Sequence, residues 1–141
     1  INATTALMVA NGTKGIVLFG TINSEWVNYY ANIVNDVAKA TGIEKIYYYD
    51  FVKNREDNNG TYEAIVERLA DYVTYNDYGV AEIYAPSLLV VCNDEVIMFD
   101  TETAFRNGNI APSEYWNTFN INSKKQELTV IFQEYLESWG R

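Results

Sequence analysis

The sequence predicts an α/β domain with a central mixed sheet. Three observations carry that expectation. Residues 15–20 hold Ile16, Val17, Leu18 and Phe19 without a polar break, the pattern of a strand buried on both faces. An amphipathic helix over 24–41 and an aromatic, β-rich run over 45–51 (KIYYYDF) follow, which makes a βαβ crossover with parallel strands. Further on, residues 88–92 and 95–99 are two apolar runs split by Asn93 and Asp94, an antiparallel hairpin whose turn residues tolerate positive φ.

The elements follow in order. Residues 1–11 are an N-terminal extension or short helix that stops at Asn11 and Gly12. Ser24 is a good N-cap for the helix over 24–41, and Glu25 suits its positive end. Tyr30, Ile33, Val34, Val37 and Ala38 form its apolar face, and Gly42 fits the C′ position. Residues 52–60 are a polar loop. A helix is expected over 61–75, with Ile65, Leu69, Tyr72 and Val73 inward, then a loop over 76–82. Residues 101–121 read as an irregular segment holding Phe105, Tyr115, Trp116 and Phe119, and long loops of that kind are often functional. A capping box over 123–126 opens the last helix. Leu128, Ile131, Phe132, Tyr135, Leu136 and Trp139 form its stripe. No internal repeat or linker divides the chain, so residues 1–141 are one domain.

Composition narrows the chemistry. The 141 residues suffice for one domain with a sizeable core, and 48% are hydrophobic, so the chain is globular. The net charge is −9, and the largest clusters of cations are Lys53 with Arg55 and Lys124 with Lys125. That argues against nucleic acid and anionic membrane surfaces as partners. No apolar run approaches the roughly 18 residues needed to cross a bilayer. There is no histidine and one cysteine, Cys92. Imidazole-dependent nucleophiles, an internal disulfide and a Cys/His zinc site are therefore excluded. Sequons at Asn2, Asn11 and Asn59 matter only in a secreted eukaryotic protein. The chain starts at Ile1, which predicts a processed or trimmed form.

The order βαβ–α–ββ–α resembles a thioredoxin-like domain, a three-layer fold, over roughly residues 12–139. Phe19 and Gly20 lead from a buried strand into a helix N-terminus, where that family carries its Cys-x-x-Cys motif. Here those four positions read Ser24, Glu25, Trp26 and Val27. Trp26 matches the aromatic position of the Cys-Pro-Trp-Cys variant. The run from Ala85 and Pro86 through Ser87 into an apolar strand looks like the family's cis-proline segment. Residues 43–50 (IEKIYYYD) with Arg55 are similar to extracytoplasmic thioredoxin-like proteins of Gram-positive bacteria.

The resemblance implies a scaffold without its reaction. Thiol–disulfide exchange needs a thiolate, and a helix N-terminus can supply one from cysteine but not from the Ser24 hydroxyl. Val27 offers no resolving partner. Cys92 is expected to be buried, at the far end of its strand from Pro86. The expectation is a non-enzymatic module, without cofactor or metal, that binds or scaffolds a polypeptide outside the cytoplasm. It would be secreted, or anchored through a segment before Ile1. Its binding residues would be Ser24, Glu25, Trp26, Val27, Ala85, Pro86 and Ser87. The alternative is an accessory role in thiol–disulfide homeostasis, through Cys92 or beside an active paralogue.

Each candidate has a plainer structural role beside it. Trp26 is either an aromatic anchor or a packing residue. Ser24 is an N-cap before it is a hydroxyl donor. Tyr47, Tyr48 and Tyr49 alternate faces along a strand, so they suit packing better than stacking. Asp50, Glu56, Asp57, Asp94 and Asp100 lack the spacing of a calcium loop.

Overall fold

A computed structural model describes residues 1, 3–52, 60–75, 78–102 and 110–138. Four strands form the main sheet in the order β2-β1-β5-β6. They are β1 (Lys14–Gly20), β2 (Tyr47–Asp50), β5 (Ser87–Cys92) and β6 (Glu95–Thr101). β1 and β2 are parallel, and β5 runs antiparallel to both β1 and β6. The sheet is thus mixed, as the βαβ and hairpin patterns predict. A second, two-stranded sheet pairs β3 (Thr74–Tyr75) with β4 (Ala81–Glu82).

The apolar alternation of the central strands splits the core in two. Val17, Phe19, Leu89 and Val91 face α1 (Ala3–Ala10) and α3 (Thr61–Arg68), together with Tyr49, Ala6, Ala10, Ile65 and Leu69. Ile16, Leu18, Leu88 and Val90 face α2 (Glu25–Thr41) and the C-terminal helix α5 (Thr118–Glu137). Successive side chains in a strand point to opposite faces, so an unbroken apolar run needs a helical layer on each side. A bulge sits where Val90 pairs with Met98 but Val91 pairs with Val96. Ile97 and Met98 consequently both pack on the α2/α5 side.

Local chemistry sets the helix ends. Ser24 is extended (φ −101, ψ 120) and its side chain accepts from Val27 N. Gly42 takes a left-handed φ of 93, and its N–H bonds Ala38 O, the αL cap expected of glycine. All five residues predicted for the inner face of α2 are buried. Asn93 and Asp94 both have positive φ (53 and 67), which suits the tight hairpin turn.

Five sequence expectations are corrected. β2 is shorter than 45–51, because Phe51 and Val52 are helical. The helix expected over 61–75 stops at Arg68. Tyr72 N and Val73 N both donate to Leu69 O, which turns the chain so that Thr74 and Tyr75 enter a strand. That turn still buries Leu69 and Val73 but leaves Tyr72 46% exposed rather than inward. The loop expected over 76–82 includes strand β4. Part of the segment 101–121 is regular: Thr101 closes β6, and α4 (Pro112–Tyr115) starts with proline at a helix N-terminus, where its missing N–H costs nothing. The last helix begins at Thr118, not Ser123. Asn117 is its N-cap and accepts from Asn120 N at 2.9 Å. Ser123 lies inside the helix, so the capping-box spacing there is incidental.

Leu128, Phe132 and Tyr135 of the predicted stripe are buried, and Ile131 and Leu136 pack against them. Most of the expected 52–60 loop, Phe105 and Trp139 lie outside the described residues, as do Asn2, Lys53, Arg55, Glu56, Asp57 and Asn59.

Candidate functional site at the α2 N-terminus

Strand register brings distant segments to one end of the sheet. Phe19 pairs with Ser87, Ser87 with Thr101, and Gly20 with Asp50. The C-terminal ends of β1, β2 and β6 therefore meet the N-terminal end of β5. α2 starts at this end, three residues after the β1–α2 turn at Ile22. The seven residues singled out from the sequence lie on two segments that this register brings to the same end of the sheet.

The first segment is shaped by close packing. A Cβ on Gly20 would come within 2.8 Å of the Tyr48 ring and 2.9 Å of Val27 Cγ1, so a larger residue at the exit from β1 would force these side chains to shift. Asn23 has a φ of 64, and the chain turns there into Ser24. Ser24 Oγ accepts from Val27 N at 3.3 Å. Val27 is buried, Glu25 is exposed, and Ser24 is half-buried. Trp26 is also half-buried. Its ring lies 5.7 Å from that of Tyr115 on α4, and it packs on the α2/α5 core. Ile22 is 70% exposed, and its N–H donates to Asp50 Oδ2 at 3.4 Å.

The second segment crosses a cis peptide bond between Ala85 and Pro86. Ala85 is half-buried and Pro86 is buried. Pro86 O accepts from Glu102 N at 3.1 Å, which ties the start of β5 to the end of β6. Ser87 is fully buried: its hydroxyl donates to Tyr84 O at 2.5 Å and lies 2.9 Å from Thr101 Oγ1. Glu25, Trp26 and Ala85 thus reach solvent at this end, while Val27, Pro86 and Ser87 are buried.

Sequence reasoning missed a polar network beside these segments. Tyr30 on α2 donates to Asp100 Oδ2 at 2.5 Å. Lys124 on α5 reaches the same oxygen at 2.9 Å and Glu127 at 3.1 Å. The Asp100 and Lys124 side chains are 16% and 14% exposed, so water screens the pair little. Burial, then the Asp100 charge and hydrogen bond, push the Tyr30 hydroxyl well above the usual tyrosine range. Burial disfavours the Lys124 ammonium, but the bonds and charges of Asp100 and Glu127 outweigh it and raise its pKa. Glu102 is buried too. Burial, then the Glu102 carboxylate beside it, raises the Tyr115 hydroxyl above its ordinary value. No spacing in the sequence announces these groups, because they converge from α2, β6, α4 and α5. The one signal was a polar residue, Asp100, at the end of an apolar strand.

The remaining candidates fall elsewhere. Cys92 is 4% exposed at the opposite end of β5, packed in the α2/α5 core as expected. Tyr49 is buried, Tyr47 half-buried and Tyr48 exposed, so the three tyrosines do not form one platform. Asp50 accepts from Ile22 N, Asp94 is an exposed turn residue and Asp100 holds Tyr30 and Lys124. Among the described residues no group of three or more His, Cys, Asp or Glu side chains is placed to hold a metal. No helix of the described residues is long and apolar enough to cross a membrane. No protein-family model matches the chain, and no curated protein matches it either.

Proposed function

We propose that this chain is a thioredoxin-like domain that has lost dithiol chemistry and binds a polypeptide, outside the cytoplasm, at the α2 N-terminus. The observation that carries the reading is the strand register. It sets the half-buried Trp26–Tyr115 pair and exposed Ile22 and Glu25 at the same end as the Ala85–Pro86 bond. An aromatic anchor next to irregular backbone suits an extended peptide. The order β2-β1-β5-β6, with one parallel and two antiparallel pairings, supports the fold assignment.

Two experiments separate the parts of this reading. Wild type and Trp26→Ala, used side by side for affinity capture from an extracytoplasmic fraction, are expected to differ in one retained protein. Equal retention by both overturns the Trp26 surface. Independently, Ser24→Cys with Val27→Cys restores two thiols at a helix N-terminus, where the dipole favours thiolate. That double variant is expected to reduce insulin disulfides, whereas wild type is not. A folded double variant without activity overturns the thioredoxin-like assignment and leaves the Trp26 result to stand alone.

A further inference from the structure

A cavity of about 510 Å³ opens at the other end of the sheet, away from the α2 N-terminus. Its walls are the first residues of β1, the segment between α2 and β2, and the last turns of α5. The volume lies in the ordinary range of small-molecule sites, roughly 300–1,000 Å³. Gly42 at its edge has nothing within 4 Å of where a Cβ would stand.

The lining is divided by chemistry. Ile16, Ile43 and Leu136 contribute apolar surface continuous with the α2/α5 core. Tyr47 and Tyr135 add aromatic surface. The charged residues of the lining are Lys14, Lys45 and Glu44. Lys45 Nζ sits 4.6 Å from the centroid of the Tyr47 ring, which steadies the cation there. The chain has only 10 Lys and Arg and a net charge of −9, so two lysines beside one glutamate in a single lining run against the charge of the whole. An apolar floor beside a pair of cations selects a ligand with an apolar body and one negative group.

We propose that this cavity binds a small apolar carboxylate, its body against Ile16, Ile43, Tyr47 and Leu136 and its carboxylate held by Lys14 and Lys45. The site does not depend on the polypeptide surface, which lies at the opposite end of the sheet.

The test is a ¹H–¹⁵N NMR titration with two probes that share a naphthalene body, 2-naphthoate and neutral 2-naphthylmethanol. Saturable shifts from 2-naphthoate are expected at 14–16, 42–47 and 135–136, with the neutral probe about tenfold weaker. Lys14→Gln with Lys45→Gln is expected to weaken 2-naphthoate about tenfold while leaving the neutral probe and the thermal melt unchanged. Lys45→Glu alone is expected to weaken it at least as much. No saturable shift at these residues, equal binding of the two probes, or full retention of 2-naphthoate by the lysine variants would each overturn the assignment.

Discussion

The two faces of the sheet are held by different physics. On the α1/α3 side, Phe19 is the centre of a ring cluster. It meets Tyr49 at 5.5 Å, Phe99 at 5.8 Å and Phe51 at 6.2 Å between centroids, all edge-on, and Phe51 stacks on Tyr62. The α2/α5 side has ring contacts too, Trp26 with Tyr115 at 5.7 Å and Tyr30 with Trp116 at 6.5 Å, but there a charged network crosses the packing from Tyr30 through Asp100 to Lys124. The first face is specified by shape and area. The second adds to shape and area directional bonds that fix α2 and α5 against β6. Only the second face carries Trp26 and Tyr115, so the polar clamp sits beneath the candidate binding surface.

The contrast predicts different failures. Phe19→Ala removes the ring that Tyr49, Phe51 and Phe99 share, and a cavity remains because the sheet cannot collapse around it. A loss of about 3–5 kcal/mol in urea unfolding is expected, with one cooperative transition lost or broadened. A loss below about 1 kcal/mol would mean the aromatic face is loosely packed and the comparison fails. Asp100→Ala is the matched blow to the other face. It leaves Lys124 partly buried without its main counter-ion and removes the acceptor for Tyr30. The expected cost is about 2–3 kcal/mol, below that of a fully buried pair because both side chains keep some exposure. Asp100→Leu tests the mechanism: if it is as stable as wild type, apolar packing can substitute for the clamp.

How much of this contrast the sequence shows follows from how local each part is. The strands β1, β5 and β6, the helix α2 with both its caps, and the hairpin turn are legible because each is announced by residues within a few positions. The end of α3 and the start of α5 were not. The apolar spacing at Ile65, Leu69 and Val73 fits a helix and a tight turn equally, and Asn117 competes with a better-looking capping box at Ser123. The residues around Ser24 and Pro86 are legible through their junction with buried strands. The clamp is not, since Tyr30 and Asp100 are 70 residues apart and only the sheet brings them together. Neither is the cavity at Lys14 and Lys45, which exists only once α5 closes over the α2–β2 connection.

Tyr30→Phe sharpens the clamp to a single bond. The hydroxyl donates to a carboxylate, so its loss is expected to cost about 1.5 kcal/mol at neutral pH. Its pH dependence has a definite sign. An unfolded tyrosine releases its proton near pH 10, whereas folded Tyr30 holds it to higher pH. Above about pH 10 the folded state therefore binds more protons, and stability falls as pH rises. Lys124, also raised, acts in the same direction from about pH 10.5. Below those values both contributions are fully present. Urea unfolding between pH 9 and 11 should fall more steeply for wild type than for Tyr30→Phe. Parallel curves would place the alkaline loss at other tyrosines, and the clamp would no longer distinguish the two faces.

The smallest expected effect lies at the edge of the α2/α5 face. Ser24→Ala removes one side-chain acceptor from the first turn of α2, and the N–H of Val27 then loses its 3.3 Å bond. N-cap losses of this kind are worth about 1 kcal/mol. Ser24→Asp should recover most of it, since a carboxylate also accepts at this position and suits the helix dipole. Ser24→Ala with unchanged stability would show that the hydroxyl is dispensable to the helix. Its 3.3 Å bond would then be incidental, and Ser24 would join Trp26 and Glu25 as a group the fold leaves available to a partner. A loss near 1 kcal/mol with partner capture intact would instead make Ser24 a structural residue. The surface beside the clamp would then rest on Trp26, Tyr115 and the backbone at Pro86.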